Sequence, residues 1–398
     1  MCAHSFRAST IRAISHLEAC GGSHPRRLAL LMLSVPARAA PAPALVGDLV
    51  QCPTPGCNTP LRPGKLAGHL LRCPVLAELR ALESQSWYSL DVNTGAGELD
   101  ESAAPMVMVS EEAASQLEAR LGQRDNPLLH APATHGAFMP SDVGVNERKR
   151  QRHRLQRDAI VRHVAQLEVL GRGRCIVELG AGNGELSLAI AEACPDAVRS
   201  DALILLDQSS KPKGRSGHGR HAADAALGDQ FGSVARLKVG LEHVDLARLR
   251  EEVAPKATGL VVLAKHLCGC ASDYALRASV AASPRRSASQ EPLALVLATC
   301  CHHRCTWPSF VNRRLLIQSG LAEGGFGAAE FDRLCRVTSR GVNAHDRSTR
   351  ADHGRRAKDL LDEARADFMR SHGFSTRLTR FVDASVTPEN VLLIATRD

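Results

Sequence analysis

The stretch "RCIVELGAGNGELSLAIAEAC", residues 174–194, decides how the chain is read. Its first residues are a short apolar run with Ile and Val, the composition of a strand buried on both faces. "GAGNG" follows. Glycine alone enters left-handed backbone without steric cost and lets a ligand approach the main chain closely. "ELSLAIAEAC" then places apolar residues at helical spacing, so a helix opens at the turn and its first amides point outward as donors. Strand, tight turn and helix make the beginning of an α/β unit. A dinucleotide fingerprint needs G-x-G-x-x-G, and Glu185 stands where its third glycine belongs. The acid Glu178 just before the turn departs from that pattern as well.

The turn resembles motif I of class I methyltransferases, E-x-G-x-G-x-G, which binds S-adenosylmethionine. The resemblance gives Glu178, Gly180, Gly182 and Gly184 to the cofactor. Asp207 ends the next apolar strand, "ALILLD", where that family places an acid on the ribose hydroxyls. Asp245, in "EHVDL", fits the following motif near the adenine. Residues 151–398 alternate strand and helix patterns, the signature of an α/β fold. "KDLLDEARADFMRSHGFSTRLTRFVD", 358–383, reads as a helix and then a strand, and "PENVLLIATRD", 388–398, as another strand. Such methyltransferases close their sheet with a final antiparallel pair. The expected fold is therefore a Rossmann-like class I methyltransferase with a mostly parallel seven-stranded sheet. "SSKPKGRSGHGRHAAD", 209–224, and "SPRRSASQEP", 283–292, read as surface loops inserted into it.

Composition sets bounds on the rest. A chain of 398 residues holds two or three domains. With 44% hydrophobic and 23% charged residues it supports a packed core and excludes wholesale disorder. Its 13 cysteines, an odd number, fit a reducing compartment with thiols free or on metal better than a secreted disulfide scaffold. The net charge of +8 points to an anionic partner, nucleic acid first. The longest apolar run, around "LALLMLSVPA", is too short and too interrupted by proline to span a bilayer. Residues 1–48 carry Arg7, Arg12, Arg26, Arg27 and Arg38 against only Glu18 and Asp48, which reads as a disordered leader or an organelle-targeting segment. Cys2, His4, His16 and Cys20 in that leader form a weaker metal candidate.

"CPTPGCNTPLRPGKLAGHLLRCP", 52–74, reads as a small metal module. Cys52 and Cys57 flank a Pro/Gly-rich turn, and His69 and Cys73 stand four apart on a helical pattern, so both should point the same way. Two thiolates facing an imidazole and a thiolate suit tetrahedral zinc. A segment this short has too little core to fold alone, and a bound metal supplies the missing stability. The module resembles the small CHHC-type zinc finger, with Cys57 near the place of the first histidine, a CCHC variant. The expected order is a leader over 1–48, a finger over 49–76, a linking extension over 77–150 and the methyltransferase domain over 151–398.

"GLVVLAKHLCGCASDYALR", 259–277, gives a buried strand ending at Ala264 and followed by Lys265, His266, Leu267 and Cys268. "PLALVLATCCHHRCTW", 292–307, gives another, ending near Thr299. Ligands of open α/β sheets bind at the carboxyl ends of the strands, so both motifs should face the cleft of the glycine turn. Three chemistries compete for "CCHHRC". Zinc is one, although adjacent residues on a strand alternate in direction and rarely converge on one ion. A cysteine nucleophile is the second. The third is acid/base work on a hydroxyl, with Lys265, His266, His302 or His303 as proton acceptor and Arg304 and Lys265 gripping phosphates. A plain structural hydrogen-bonding role remains open for at least one of these histidines.

"KHLCGCASDYALR" and "CCHHRCTW" resemble the signatures of the eukaryotic tRNA 2′-O-methyltransferases called tRNA:m4X modification enzymes (Trm13-type). "WYSLDVNTG", "RHRLQRDAIVRHV" and "TPENVLLIA" resemble further blocks of that family, so the likeness covers roughly residues 50–398. It implies methyl transfer from S-adenosylmethionine to the ribose 2′-OH of nucleotide 4 in a tRNA acceptor stem. It also implies zinc in the finger, RNA binding and a home in the cytoplasm or nucleus. Neither a membrane nor an obligate protein partner is implied. Family members often carry a further N-terminal CCCH finger, which is not intact in this sequence, and "FDRLCRVTSRG", 331–341, matches its family segment only loosely. Two other classes fit the same motifs: a non-catalytic zinc-finger RNA-binding protein with a degenerate methyltransferase fold, and a methyltransferase acting on protein or small molecules.

Overall fold

The apolar runs on either side of the glycine turn become neighbouring strands in a computed structural model of the chain. It describes residues 45–46, 49–95, 111–124, 128, 132–134, 144–171, 173–208, 219–283, 292–323 and 325–397. The leader's first 44 residues, with Cys2, His4, His16 and Cys20, lie outside the described residues, as do 209–218 and 284–291 of the two expected loops. The chain divides into two compact units, Met1–Tyr88 and Ser89–Asp398.

The first unit is a small antiparallel sheet of β1 (Leu45–Val46), β2 (Leu49–Gln51) and β3 (Pro60–Leu61), followed by helices Leu66–Leu70 and Pro74–Glu83. Its core is Val50, Leu66, Leu70 and Leu76 around the buried thiols of Cys52, Cys57 and Cys73. Burying a side chain of this size is worth about 2 kcal/mol, and four of them do not offset the ordering of some forty residues. The expectation that His69 and Cys73 share one helix is corrected. Pro74 opens the next helix and holds Cys73 extended, at φ −65° and ψ 115°, so Cys73 stands at the N-cap position of that helix and His69 in the last turn of the one before.

The second unit is built on seven strands: β4 (Cys175–Leu179), β5 (Ala202–Asp207), β6 (Ser233–Lys238), β7 (Leu260–Cys268), β8 (Leu293–Cys300), β9 (Ser375–Arg380) and β10 (Val391–Arg397). Their order across the sheet is β6-β5-β4-β7-β8-β10-β9. The first five are parallel, and β10 runs antiparallel to both β8 and β9. This is the class I methyltransferase sheet, with its last strand, β10, inserted antiparallel between β8 and the edge strand β9. The strand order reverses beside β4, and the crevice at the carboxyl ends of β4 and β7 is where such sheets take ligands. Every residue of β4 and β8 is buried, as their unbroken apolar runs require.

Helices Val145–Gln166 and Glu185–Ala193 contribute Ile160, Val164, Leu186 and Ile190 to the core on one face of the sheet. The helices Glu111–Gln123, Ala328–Thr338 and Thr349–Ser371 meet in a second core around Leu117, Phe310, Phe331, Leu334 and Leu361. Two local expectations change. Gly219–Gly228 is a helix, so the inserted stretch 209–224 is not a loop to its end, because an Ala-rich run follows its glycines. Strand β7 does not stop at Ala264. Its pairing with β8 breaks between Ala264 and Leu267 and resumes as Leu267 with Thr299 and Cys268 with Cys300. Lys265 and His266 form the irregularity, and a bulge of this kind re-aims side chains next to a site. Among the described residues no helix is long and apolar enough to cross a membrane.

Candidate cofactor turn and reaction centre

The turn after β4 holds Gly180, Gly182 and Gly184 at φ +63°, +53° and +75°, all in the left-handed region. Two of them meet different constraints. A Cβ on Gly180 would stand 3.2 Å from the carbonyl oxygen of His266 and from Leu267 Cδ2, so the glycine lets the end of β7 close on the turn. A Cβ on Gly182 would meet nothing within 4 Å, so that side of the turn faces open space. The carboxylate of Asp207, at the end of β5, accepts the Gly182 N–H at 2.7 Å. Arg236 donates to the Gly182 carbonyl at 2.9 Å and forms an ion pair with Asp224. Glu178 is buried under the turn and accepts from the Ser187 amide at 3.1 Å and from its hydroxyl. Burial pushes its carboxyl up to about 7 against those two hydrogen bonds. Asp245 caps the helix Leu246–Val253, accepting from the amides of Ala247 and Arg248 at 3.0 and 3.1 Å.

At the β7 bulge, Lys265 Nζ stands 3.4 Å from His153 Nδ1 on the helix Val145–Gln166. Burial, and then the positive charge of Arg157, pulls the Lys265 ammonium down to about 8, with Glu185 and Glu178 opposing. His153 is also lowered, by burial first and Lys265 second. Its ring meets that of His266 edge-on at 5.9 Å. Arg157 is fixed by an ion pair to Glu185, the first residue of the helix after the glycine turn. The bulge, the turn and this helix therefore form one continuous site. His153 is a residue that sequence reasoning missed, although the block "RHRLQRDAIVRHV" contains it.

His302 lies elsewhere. It is 2% exposed, with Nε2 2.8 Å from Asp362 Oδ1 and Nδ1 3.7 Å from Glu389. Asp362 also accepts from the Thr299 hydroxyl at 2.8 Å and from Arg365 at 3.2 Å, and Arg365 reaches Asp273 at 2.8 Å. Burial opposes a charge on His302, yet Asp362 and Glu389 hold its imidazolium above the usual value. Against the same burial, His302 and Arg365 pull Asp362 down to about 2. The structure thus brings His302 into a fully buried ionic network, while His303 and Arg304 are exposed on the same short turn.

The sulfurs of Cys268, Cys300 and Cys301 all lie within 4.8 Å of one another, and Cys300 and Cys268 are 4.0 Å apart. The objection that neighbouring residues alternate does not apply here. Cys301 leaves the strand in left-handed backbone, φ 52° and ψ 42°, which turns its side chain back toward that of Cys300. Cys305 is buried against Arg365 at 3.1 Å, and Cys270 bonds to the Arg304 carbonyl and to Thr306, so neither joins the trio.

A profile of the family described as "Methyltransferase TRM13" matches residues 155–353 and 343–396. The chain belongs to the TRM13 methyltransferase family. It is 27% identical to the human protein named "tRNA:m(4)X modification enzyme TRM13 homolog", over 83% of each chain. It is 25% identical to the Schizosaccharomyces pombe "tRNA:m(4)X modification enzyme TRM13", over 87% of this chain and 95% of that one. Among solved structures, an O-methyltransferase family protein from Burkholderia thailandensis matches with a TM-score of 0.29 and 17% identity, over 64% of this chain and 61% of that one.

Outside the span of the TRM13 profile, the first unit gathers Cys52, Cys57, His69 and Cys73, whose ligand atoms lie within 4.8 Å of one another. Cys57 Sγ and His69 Nε2 are 3.5 Å apart. The structure brings all four together despite the helix break at Pro74. A further feature of this TRM13 chain is the N-terminal half of the helix Val145–Gln166, where Arg148, Lys149, Arg150, Arg152 and Arg154 are exposed. Arg150, Arg154 and Arg157, each paired with an acid (Glu147, Asp158 and Glu185), line a cavity of about 620 Å³ together with His153. The cavity therefore reaches His153 of the Lys265–His153 pair.

Proposed function

We propose that this chain is a tRNA methyltransferase that transfers a methyl group from S-adenosylmethionine to the ribose 2′-OH of nucleotide 4 in the acceptor stem. The observation that carries the reading is the Lys265–His153 contact at the bulge of β7, beside the glycine turn. The names of the TRM13 relatives point to tRNA as substrate and to its position. The turn fits S-adenosylmethionine, because Gly182 leaves an open face that a Cβ would fill and Asp207 stands at the end of the next strand. When bound there, the cofactor supplies an electrophilic methyl group on a sulfonium.

The residues of the chain then act on the acceptor. A ribose hydroxyl must lose its proton as its oxygen attacks the methyl carbon. Lys265 Nζ, brought down to about 8 by its buried setting, accepts that proton, and His153 Nδ1 beside it passes the proton on. His266 and the exposed His303 and Arg304 border the acceptor, with Arg304 on a neighbouring phosphate. His302 holds the strand ends in place through Asp362. Base-paired RNA is read by shape and by phosphate and 2′-OH contacts, which the arginine-rich start of the helix Val145–Gln166 suits. Cys52, Cys57, His69 and Cys73 hold a structural zinc in a finger over 49–76, and residues 151–398 form the transferase domain. The activity belongs in the cytoplasm or nucleus.

The test incubates the full-length protein with labelled S-adenosylmethionine and total tRNA, followed by nuclease digestion and mass mapping. Label on a ribose in the acceptor stem supports the reading. Label only on protein or a small molecule contradicts the substrate. Binding of tRNA with no transfer contradicts the catalytic assignment and favours a degenerate fold.

A further inference from the structure

We propose that Cys268, Cys300 and Cys301 bind a single zinc-class metal ion at the carboxyl edge of the sheet, separate from the finger in the first unit. The fourth position of this ion is open to solvent.

The backbone is shaped for it. In the register of β7 and β8 the bulge at Lys265 and His266 restores pairing in time to set Cys268 opposite Cys300. Cys301 then adopts left-handed backbone, which costs a residue with a side chain about 1 kcal/mol. Gly269, directly after Cys268, sits at φ 59° and ψ −122°, and a Cβ there would lie 2.7 Å from the Arg304 carbonyl oxygen. Its amide donates to the Cys300 carbonyl at 3.3 Å, which locks the two strand ends together. Each departure from regular strand geometry serves the convergence of three thiols. Strain of this kind persists where the surroundings enforce it and clusters at functional sites.

The spacing selects the ligand. Zinc–thiolate bonds of about 2.3 Å in a tetrahedron put sulfurs roughly 3.8 Å apart. The Cys268–Cys300 separation of 4.0 Å is close to that, with Cys301 inside the same 4.8 Å radius. An iron–sulfur cluster spreads three cysteines over more than one iron and so farther apart than this, so one mononuclear ion is indicated. Three thiolates are soft donors, which favour zinc over magnesium or calcium. They would leave a divalent ion with one net negative charge, which the exposed edge of the site lets solvent screen. Cys300 is buried while Cys268 is exposed, so the ion has a dry anchor and an entry path.

The test measures metal per chain by mass spectrometry on full-length protein purified without chelator, together with Cys73→Ser and the double variant Cys268→Ser/Cys301→Ser. The expected result is two zinc ions in the wild type and one in each variant. Cobalt loaded into the Cys73→Ser protein should show a thiolate-to-metal charge-transfer band scaled to three sulfurs. A single zinc in the wild type, or none in Cys73→Ser, overturns the proposal. A metal-free wild-type cluster that forms a Cys268–Cys300 disulfide on mild oxidation also overturns it. If the double variant does not fold, the wild-type count and the cobalt spectrum of Cys73→Ser still decide. These readouts do not depend on tRNA, so they fail or succeed separately from the transfer reaction.

Discussion

Lys265 Nζ and His153 Nδ1 lie 3.4 Å apart although 112 residues separate them in the chain. The bulge in β7 turns the lysine out of the sheet, and the basic helix Val145–Gln166 lays the histidine over it. Neither feature alone makes a proton acceptor. Together they bury a cation among other cations, which is what moves a lysine toward neutrality at physiological pH.

Lys265 should therefore leave a signature in both rate and stability. Methyl transfer should rise with pH and level off above about 8, where the lysine is neutral. Lys265→Met should lower the rate by about 10²–10⁴-fold and remove that rise. The stability effect has the opposite sign. The folded pKa lies below the unfolded one, so protonation favours the unfolded chain, and the penalty is full below about 8 and fades toward the ordinary lysine value. Lys265→Met should raise the melting temperature at neutral pH. A variant that is both less stable and fully active would contradict the assignment.

Gly182→Ala separates cofactor binding from folding. The new methyl meets no protein atom, so the fold should lose only about 1 kcal/mol for the left-handed backbone. It projects into the face assigned to S-adenosylmethionine, and affinity should fall by about tenfold or more. Calorimetric titration of wild type and variant decides. Equal affinity would move the cofactor away from the turn.

Asp362→Asn should damage the fold more than any single change at the open edge. It leaves His302 and Arg365 buried without their shared carboxylate, a loss of about 3–5 kcal/mol. Against burial, His302 with Arg365 holds Asp362 down to about 2, and His302 with Lys358 does the same for Glu389. Depressed carboxyls stabilise above their unfolded values and lose that contribution as pH falls toward the folded ones. Wild-type stability should accordingly drop between about pH 4.5 and 2, and the drop should shrink in Asp362→Asn, as read by denaturant titration at several pH values.

Removing metal should unfold the first unit selectively. Val50, Leu66, Leu70 and Leu76 are too small a core to hold it without the Cys52–Cys57–His69–Cys73 site. A strong chelator should expose amides of residues 49–83 to rapid hydrogen exchange and leave β4, β7 and β8 protected. Continued protection of 49–83 would show that the unit does not depend on metal.

Much of this was legible in the chain. The spacing of Gly180, Gly182 and Gly184 after an apolar run specified the turn, because only glycine tolerates all three conformations there. The grouping of Cys52, Cys57, His69 and Cys73 was legible from their chemistry, but their local geometry was not, since Pro74 breaks the helix expected to carry His69 and Cys73. His302 read as a catalytic candidate because its partner Asp362 is 60 residues away on another element. His153 was hidden for the same reason. The β7 bulge showed in the sequence only as Lys265 and His266 interrupting an apolar run, which read as the end of the strand, so the convergence of Cys268 with Cys300 and Cys301 required the register of two strands.

The most direct measurement uses two synthetic tRNAs that differ only at nucleotide 4, one with a ribose and one with a 2′-deoxyribose. Full-length protein and labelled S-adenosylmethionine are supplied to each. The account predicts transfer to the ribose form, none to the deoxy form, and loss of transfer in Lys265→Met. Equal labelling of both tRNAs would place the methyl group somewhere other than that hydroxyl and contradict it.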